Sequence, residues 1–331
     1  MANVQKYFEQ FYDKIRTDYE MNSTLREKKD IILRLLRKRL KEAEKPSFDE
    51  LLQGSYSIPV RTGVCPIAKL EYDIDVGLRF AFDESAYSAK EVRKWVLDAV
   101  DGHTDRVEEM GPCMRVGYAD GYHVDLVSYA NWVDDSGQEQ FRLAHRSKGW
   151  RPADPPALLE HVKSARKKFE GTEDSKTQTD QLRRVVRYLK RWYDIAIPEE
   201  SDAKPTGLAF LLFAIERLAP TYSRDGASDD QATLLSLANY AAALWGRISI
   251  CKPTPEYEDM FGKLSDDEMS DLKERFGEMA GALKQAANET DPVEACKTLR
   301  KVFGGDFPVP EPEDTAKKTS APAIVTSSSS A

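Results

Sequence analysis

Cysteine and histidine are scarce in this chain, with four of each among 331 residues. Cys65, Cys113, Cys251 and Cys296 stand far apart without a CxxC pair, and His103, His123, His145 and His161 fall at no ligand spacing to them. A zinc site and a disulfide framework are therefore excluded from the working hypotheses. Long apolar runs are missing too: no stretch approaches the roughly 18 residues that cross a bilayer. The opening MANVQKYFEQFYDK is charged and aromatic where an export signal would be continuously apolar. A cytoplasmic protein without membrane association is expected. Net positive charge is also lacking. A formal charge of -8 disfavours a protein that coats nucleic acid, because non-specific affinity for phosphates needs clustered cations.

What is present is an ordinary folding composition, 41% hydrophobic and 31% charged, in a chain long enough for one large unit or two closely packed ones. The charge is uneven. Residues 141–191 hold fourteen Lys and Arg against six Asp and Glu, whereas 256–331 hold sixteen acids against nine bases. A basic middle in an acidic chain suits a small polyanion held in a cleft, although a solvated charged helix has the same composition.

Apolar periodicity divides the chain. Ile31, Ile32, Leu35, Leu36 and Leu40 recur at helical spacing, predicting a helix over 23–44 that starts near Ser23 and stops at Pro46. Leu51 and Leu52 read as the close of a helical turn before Gly54. From there to about residue 129 short strand-like runs dominate, the clearest over 72–80, 113–119 and 122–129, the last two joined at Asp120-Gly121. One helix interrupts them near 88–100. After the prolines at 152–156 the pattern is helical throughout, over 157–169, 176–193, 205–218, 230–249, 266–286 and 291–302. An α+β catalytic core over 1–155, a helical domain over 156–306 and a disordered tail over 307–331, rich in Pro, Ser and charge, are expected.

Three segments carry chemistry. In EYDIDVGLRF the strand period puts Asp73 and Asp75 on one face and Ile74 and Val76 on the other. Paired carboxylates repel unless a hard divalent cation such as Mg²⁺ or Mn²⁺ lies between them. Upstream, Gly54-Ser55 offers a tight turn with backbone N–H groups and a hydroxyl suited to a phosphate. In YHVDLVSY, Asp125 sits between Val124 and Leu126, where a buried carboxylate needs either a metal or a salt bridge; Arg115, across the hairpin, supplies the second possibility. His123 on that face reads as a packed histidine. The segment QLRRVVRYLKRWYD places Arg183, Arg187 and Lys190 near one helix face, as fixed cations for leaving phosphates.

These phrases together, GSYS, YDIDVGL, YHVDLVSY and the helix with LKRWYD, resemble the DNA polymerase β-type nucleotidyltransferases. Within them the chain is most similar to the bacterial cGAS/DncV-like enzymes (CD-NTases) of CBASS antiphage defence, relatives of the oligoadenylate synthases. The likeness covers about residues 1–305. Phrases such as KEVRKWVLDAV, GPCMRV and WRPADP point to the clade G branch, associated with cyclic GMP-AMP-type products. The resemblance implies a polymerase β-like core with a mixed β-sheet, packed against a C-terminal helical domain. It implies that Asp73, Asp75 and Asp125 are catalytic and bind two Mg²⁺ or Mn²⁺ ions, and that Gly54 and Ser55 hold a triphosphate. Lys190 falls where the oligoadenylate synthases have a phosphate-binding lysine before tryptophan, and Thr206 falls near a small polar residue of the donor pocket. SIPVRTG departs from the family's glycine-threonine pattern, leaving Ser57, Arg61 and Thr62 without assigned roles.

The implied activity is synthesis of a cyclic oligonucleotide messenger from ATP and GTP by attack of a ribose hydroxyl on an α-phosphate. An effector protein would respond to the product, and the C-terminal Ala331 would be open to conjugation. Two alternatives stand beside it: an RNA- or protein-modifying, toxin-like nucleotidyltransferase, which needs the broad basic surface this acidic chain lacks, and a catalytically silent nucleotide-binding scaffold, which would not need all three acids.

Overall fold

The computed structural model describes residues 3–17, 19–54, 57, 62, 72–197 and 205–311. The chain begins with helices α1 (Gln5–Ile15) and α2 (Tyr19–Glu42) and continues through strands β1 (Phe48–Leu52) and β2 (Tyr72–Ala81) to helix α3 (Ala89–Val100). Strands β3 (Arg106–Glu109), β4 (Met114–Gly117), β5 (Tyr122–Val133), β6 (Glu139–His145) and β7 (Gly149–Ala153) follow. Helices α4 (Pro155–Lys167), α5 (Gln181–Ala196), α6 (Gly207–Arg217), α7 (Asp230–Ala243), α8 (Asp266–Asn288) and α9 (Pro292–Phe303) complete it. The α+β class is as expected, and each helix expected after residue 156 is present, although the one expected over 176–193 starts only at Gln181 and the one expected over 230–249 ends at Ala243. Side-chain caps explain the sharp starts: Ser88, Asp154, Asp180, Thr206, Asp229, Ser265 and Asp291 each accept a backbone N–H of the first turn.

The sheet is mixed. Its path runs β1-β2-β5-β4-β3, with β6 on the far half of β5 and β7 beyond it. Strands β2 and β5 are parallel, while the remaining pairs are antiparallel. Ile74, Val76, Leu78, Phe80, Val124 and Leu126 turn to one face, where they meet Ile32, Leu36 and Leu40 of α2 and Val92, Val96 and Val100 of α3. The strand period therefore leaves Asp73, Asp75 and Asp125 together on the opposite face. Farther along that face Val127, Tyr129, Cys113, Phe141 and Ala153 form a small apolar cluster.

Several expectations are corrected. Leu51 and Leu52 belong to strand β1, paired with Gly77 and Val76, and not to a helical turn. Helix α2 begins at Tyr19 and ends at Glu42, with Glu44 in the left-handed region (φ 53°) reversing the chain before Pro46 is reached. The domain limits shift as well. Helix α1 packs into the core of the helical unit, where Phe8 and Phe11 are fully buried. Its backbone and side chains are held from across the chain: Gln5 Oε1 accepts the Asp230 N–H at 2.9 Å, and the Phe8 carbonyl accepts from the Tyr188 hydroxyl at 2.9 Å. Phe307, expected to open a disordered tail, is fully buried, its ring 5.1 Å from Phe8, 5.2 Å from Phe11 and 5.8 Å from Phe303. The helical unit thus comprises α1 with residues 155–309, and the expected tail beyond residue 311 lies outside the described residues. Phe307→Ala should lower stability by about 3–5 kcal/mol, measurable as a shifted urea midpoint with little change in slope.

Candidate active site

Asp73 and Asp75 enter from β2, and β5 aligns with it in parallel so that Asp75 lies opposite Asp125 and Asp73 opposite His123. Asp75 is the acid whose charge is most disfavoured. Burial, then repulsion from Asp73 and from Asp125, pushes its carboxyl up to about 7. Three carboxylates that hold one of their number near neutrality form a donor set suited to hard cations, since a cation between them would remove the cause of the shift. Among the described residues, no three acidic, histidine or cysteine side chains are gathered closely enough to hold a metal ion as they stand. Asp125 is turned to Arg115, accepting from its Nε at 2.9 Å and its Nη2 at 2.7 Å. The salt bridge considered for Asp125 is therefore present, and it coexists with the alignment on Asp75.

Gly54 follows β1, which runs antiparallel to β2 and brings the Gln53 N–H to the Asp75 carbonyl at 3.4 Å. It is glycine for two reasons. Its φ is +67°, and a Cβ built there would lie 1.8 Å from Asp75 Oδ2. The turn and Asp75 are thus in contact, more closely than the eighteen to twenty residues between them suggest. Ser57 closes this turn, its hydroxyl donating to the Gly54 carbonyl at 2.9 Å. Ser55 and Arg61 lie outside the described residues.

Lys190 approaches from α5 and binds Thr62, reaching its carbonyl at 3.0 Å and its hydroxyl at 3.1 Å. Burial pushes its ammonium down to about 8, against the pull of Asp73 and, more weakly, of Asp194 and Asp75, with Arg187 adding to the depression. The N-terminus of α6 abuts it: Thr206 caps the helix by accepting the Ala209 N–H at 3.3 Å, and a Cβ on Gly207 would meet Lys190 Cε at 2.7 Å. The remaining cations of α5 are directed elsewhere. Arg183 pairs with Asp180 at 2.8 Å, and Arg187 donates to the Tyr12 hydroxyl and lies over that ring, 4.7 Å from its centroid. Helix α5 is buried on nearly every side, so its guanidinium groups serve acceptors within the helical core. Arg187, expected to bind nucleotide, thus meets Tyr12, while Lys190 lies within electrostatic reach of Asp73 and Asp75.

Sequence reasoning missed other residues here. Tyr129 donates to Gln53 Oε1 at 3.0 Å, bracing the strand that leads into Gly54, and Gly77 leaves room for the Tyr129 ring, 3.2 Å from where a Cβ would stand. The strand period puts Gly77 and Tyr129 on the acidic face, but nothing in the sequence marks the contact between them.

Comparison with known proteins agrees with this geometry. Residues 48–129 match the family model described as cyclic GMP-AMP synthase DncV-like, nucleotidyltransferase domain. A cyclic GMP-AMP synthase of Escherichia albertii is 28% identical over 200 residues, covering 58% of this chain; the match spans less than half, 42%, of that protein. Among solved structures, the Vibrio cholerae DncV cyclic AMP-GMP synthase in complex with a linear intermediate superposes with a TM-score of 0.73 at 16% identity, over 91% of this chain and 96% of that one. The Bradyrhizobium diazoefficiens CD-NTase CdnG in complex with GTP gives 0.69 at 14% identity, over 92% and 95%. Both fold comparisons include the mixed sheet and the helical unit.

Proposed function

From a chain that carries a DncV-like nucleotidyltransferase domain on the fold of the CD-NTases, we propose a synthase that joins ATP and GTP into a cyclic oligonucleotide, a cyclic GMP-AMP-type dinucleotide foremost, for antiphage signalling. The observation that carries the reading is the convergence of Asp73, Asp75 and Asp125 on one sheet face, with Asp75 raised to about 7 by burial and by its two neighbours. The clade G placement belongs to the same proposal and rests on the quoted phrases. Members of this fold solved with ATP and GTP, or with a linear intermediate, support nucleoside triphosphates as substrates.

Asp73 and Asp75 would hold two divalent cations, Mg²⁺ or Mn²⁺, and Asp125 one of them. When bound, such ions lower the pKa of an attacking ribose hydroxyl and neutralise departing pyrophosphate. The chain's own residues do the rest. Gly54 brings backbone against Asp75, so that a triphosphate laid on the turn, with Ser55 as a further donor, is placed beside the carboxylates. Lys190 supplies a fixed positive charge, and Thr206 with the start of α6 lines the same end. One cleft would act twice, first joining two nucleotides and then closing the ring. An effector protein would then read the product. Ala331, outside the described residues, is the proposed conjugation point, tested by whether deleting 312–331 removes the conjugate in cells that form one.

Incubation with ATP, GTP, CTP and UTP in Mg²⁺ or Mn²⁺, followed by mass spectrometry, tests the reading. A cyclic product that vanishes in Asp73→Ala with Asp75→Ala supports it; its persistence in that variant overturns it. The toxin-like alternative predicts radiolabel transferred from ATP to RNA or protein, and the silent scaffold predicts no turnover. Lys190 adds a pH signature. Its ammonium is charged below about 8 and lost above it, so kcat/KM for ATP should fall about tenfold per pH unit on that limb. Lys190→Arg, which stays protonated, should flatten the limb even where it lowers the plateau.

A further inference from the structure

Asp125 already meets a cation. It is 5% exposed, and both of its oxygens are taken by the two prongs of the Arg115 guanidinium. Register puts Arg115 directly opposite it on one side, from β4, and Asp75 directly opposite on the other, from β2. The guanidinium is held charged by Asp125 first and by Asp73 as well. Its side chain is 33% exposed, against 7% for that of Asp125, so it lies at the border between the acids and solvent.

We infer that Arg115 is an electrostatic placeholder, neutralising Asp125 until a divalent cation arrives and thereby setting how tightly the ion on Asp125 is held. The inference rests on the metal reading of the three aspartates. A carboxylate this deep cannot stand unpaired without cost, which explains why Asp125 has a counter-ion of its own. The same pairing opposes the metal twice. An ion reaching Asp125 must take lone pairs beside those Arg115 uses, and it must sit near a fixed positive charge that no water layer fully screens. Arg115 acts through Asp125, as a positioning residue. If it served only to orient the carboxylate, removing it would weaken metal binding, as loss of an outer partner commonly does. A placeholder predicts the opposite sign.

The test is a titration of the full chain with Mn²⁺, read by the electron paramagnetic resonance of the free ion, beside melting curves in EDTA and in Mn²⁺. Arg115→Gln should bind the more weakly held Mn²⁺ about tenfold more tightly than wild type. Its melting temperature should drop in EDTA and recover in Mn²⁺. Arg115→Lys, which keeps the charge without the fork, should stay within about twofold of wild type. Because it keeps a counter-charge beside Asp125, it decides the matter if Arg115→Gln fails to fold. Equal or weaker Mn²⁺ binding by Arg115→Gln, or about tenfold weaker binding by Arg115→Lys, would overturn the inference. Mn²⁺ binding that survives Asp73→Asn with Asp75→Asn would instead overturn the three-aspartate reading itself.

Discussion

Replacing Asp75 with asparagine is expected to abolish nucleotide joining and, in the same protein, to raise its melting temperature when metal is removed. Asp75 is the acid with the strongest reason not to be ionised: burial, Asp73 and Asp125 together raise its carboxyl to about 7. Its native value lies above the unfolded one, so the folded chain binds the extra proton between about pH 4 and pH 7, and metal-free stability falls as pH rises through that window. Asparagine removes the charge and keeps the shape. The gain should be at most about 4 kcal/mol above pH 7 and should disappear only near pH 4, where the carboxyl is protonated in the unfolded chain as well. Activity should fall by roughly 10³-fold or more, because the carboxylate proposed to bridge both ions is gone. Scanning calorimetry in EDTA at pH 4 and pH 8, beside product formation in Mg²⁺, checks both halves. Full activity would remove Asp75 from the mechanism, and a lower melting temperature at pH 8 would remove the electrostatic account.

Gly54→Ala carries the second large effect. The residue has a φ of +67°, which costs an alanine about 1–2 kcal/mol. The graver problem is space, since the new methyl would overlap Asp75 Oδ2 at 1.8 Å. Either the turn or the carboxylate must move by more than an ångström, and a displacement of that size at reacting groups costs about 100-fold in kcat/KM. Gly54→Asn separates the two causes. Asparagine tolerates the left-handed backbone but still carries a Cβ, so it should recover stability relative to alanine without recovering activity. Recovery of both would mean that the backbone conformation, and not the contact with Asp75, is what glycine serves.

The strands that matter were legible because their period is simple. Alternation in YDIDVGL and YHVDLVSY separates acids from core residues, and the Asp120-Gly121 turn sets the hairpin register that puts Arg115 against Asp125. Parallel pairing of β2 with β5, which brings Asp75 opposite Asp125, is a long-range contact that no local pattern encodes; for that, the family resemblance was needed. The helices after residue 155 were legible from capping residues and apolar spacing together. Helix α1 was not, because its apolar face, with Tyr7, Phe8, Phe11, Tyr12 and Ile15, finds its partners in α5 and beyond α9. The cations of α5 misled for a related reason. Helical spacing says which residues share a face, but Arg187 and Lys190 differ in what stands opposite, Tyr12 in one case and Thr62 with the acids in the other.

The burial of Phe307 against Phe8 and Phe11 has a consequence for synthesis. The sheet with α2 and α3 is complete by residue 153, whereas the helical unit needs the first helix made and nearly the last described residue made. At about 5–20 residues per second, the interval between them runs from roughly ten to thirty seconds. Throughout it a ribosome would carry a finished sheet while Phe8 and Phe11 wait for their partners, an apolar stretch open to chaperones. The acids on the sheet would be in place that whole time, but Lys190 and the start of α6 could not be held against them until the final aromatic ring had left the exit tunnel and closed the helical core.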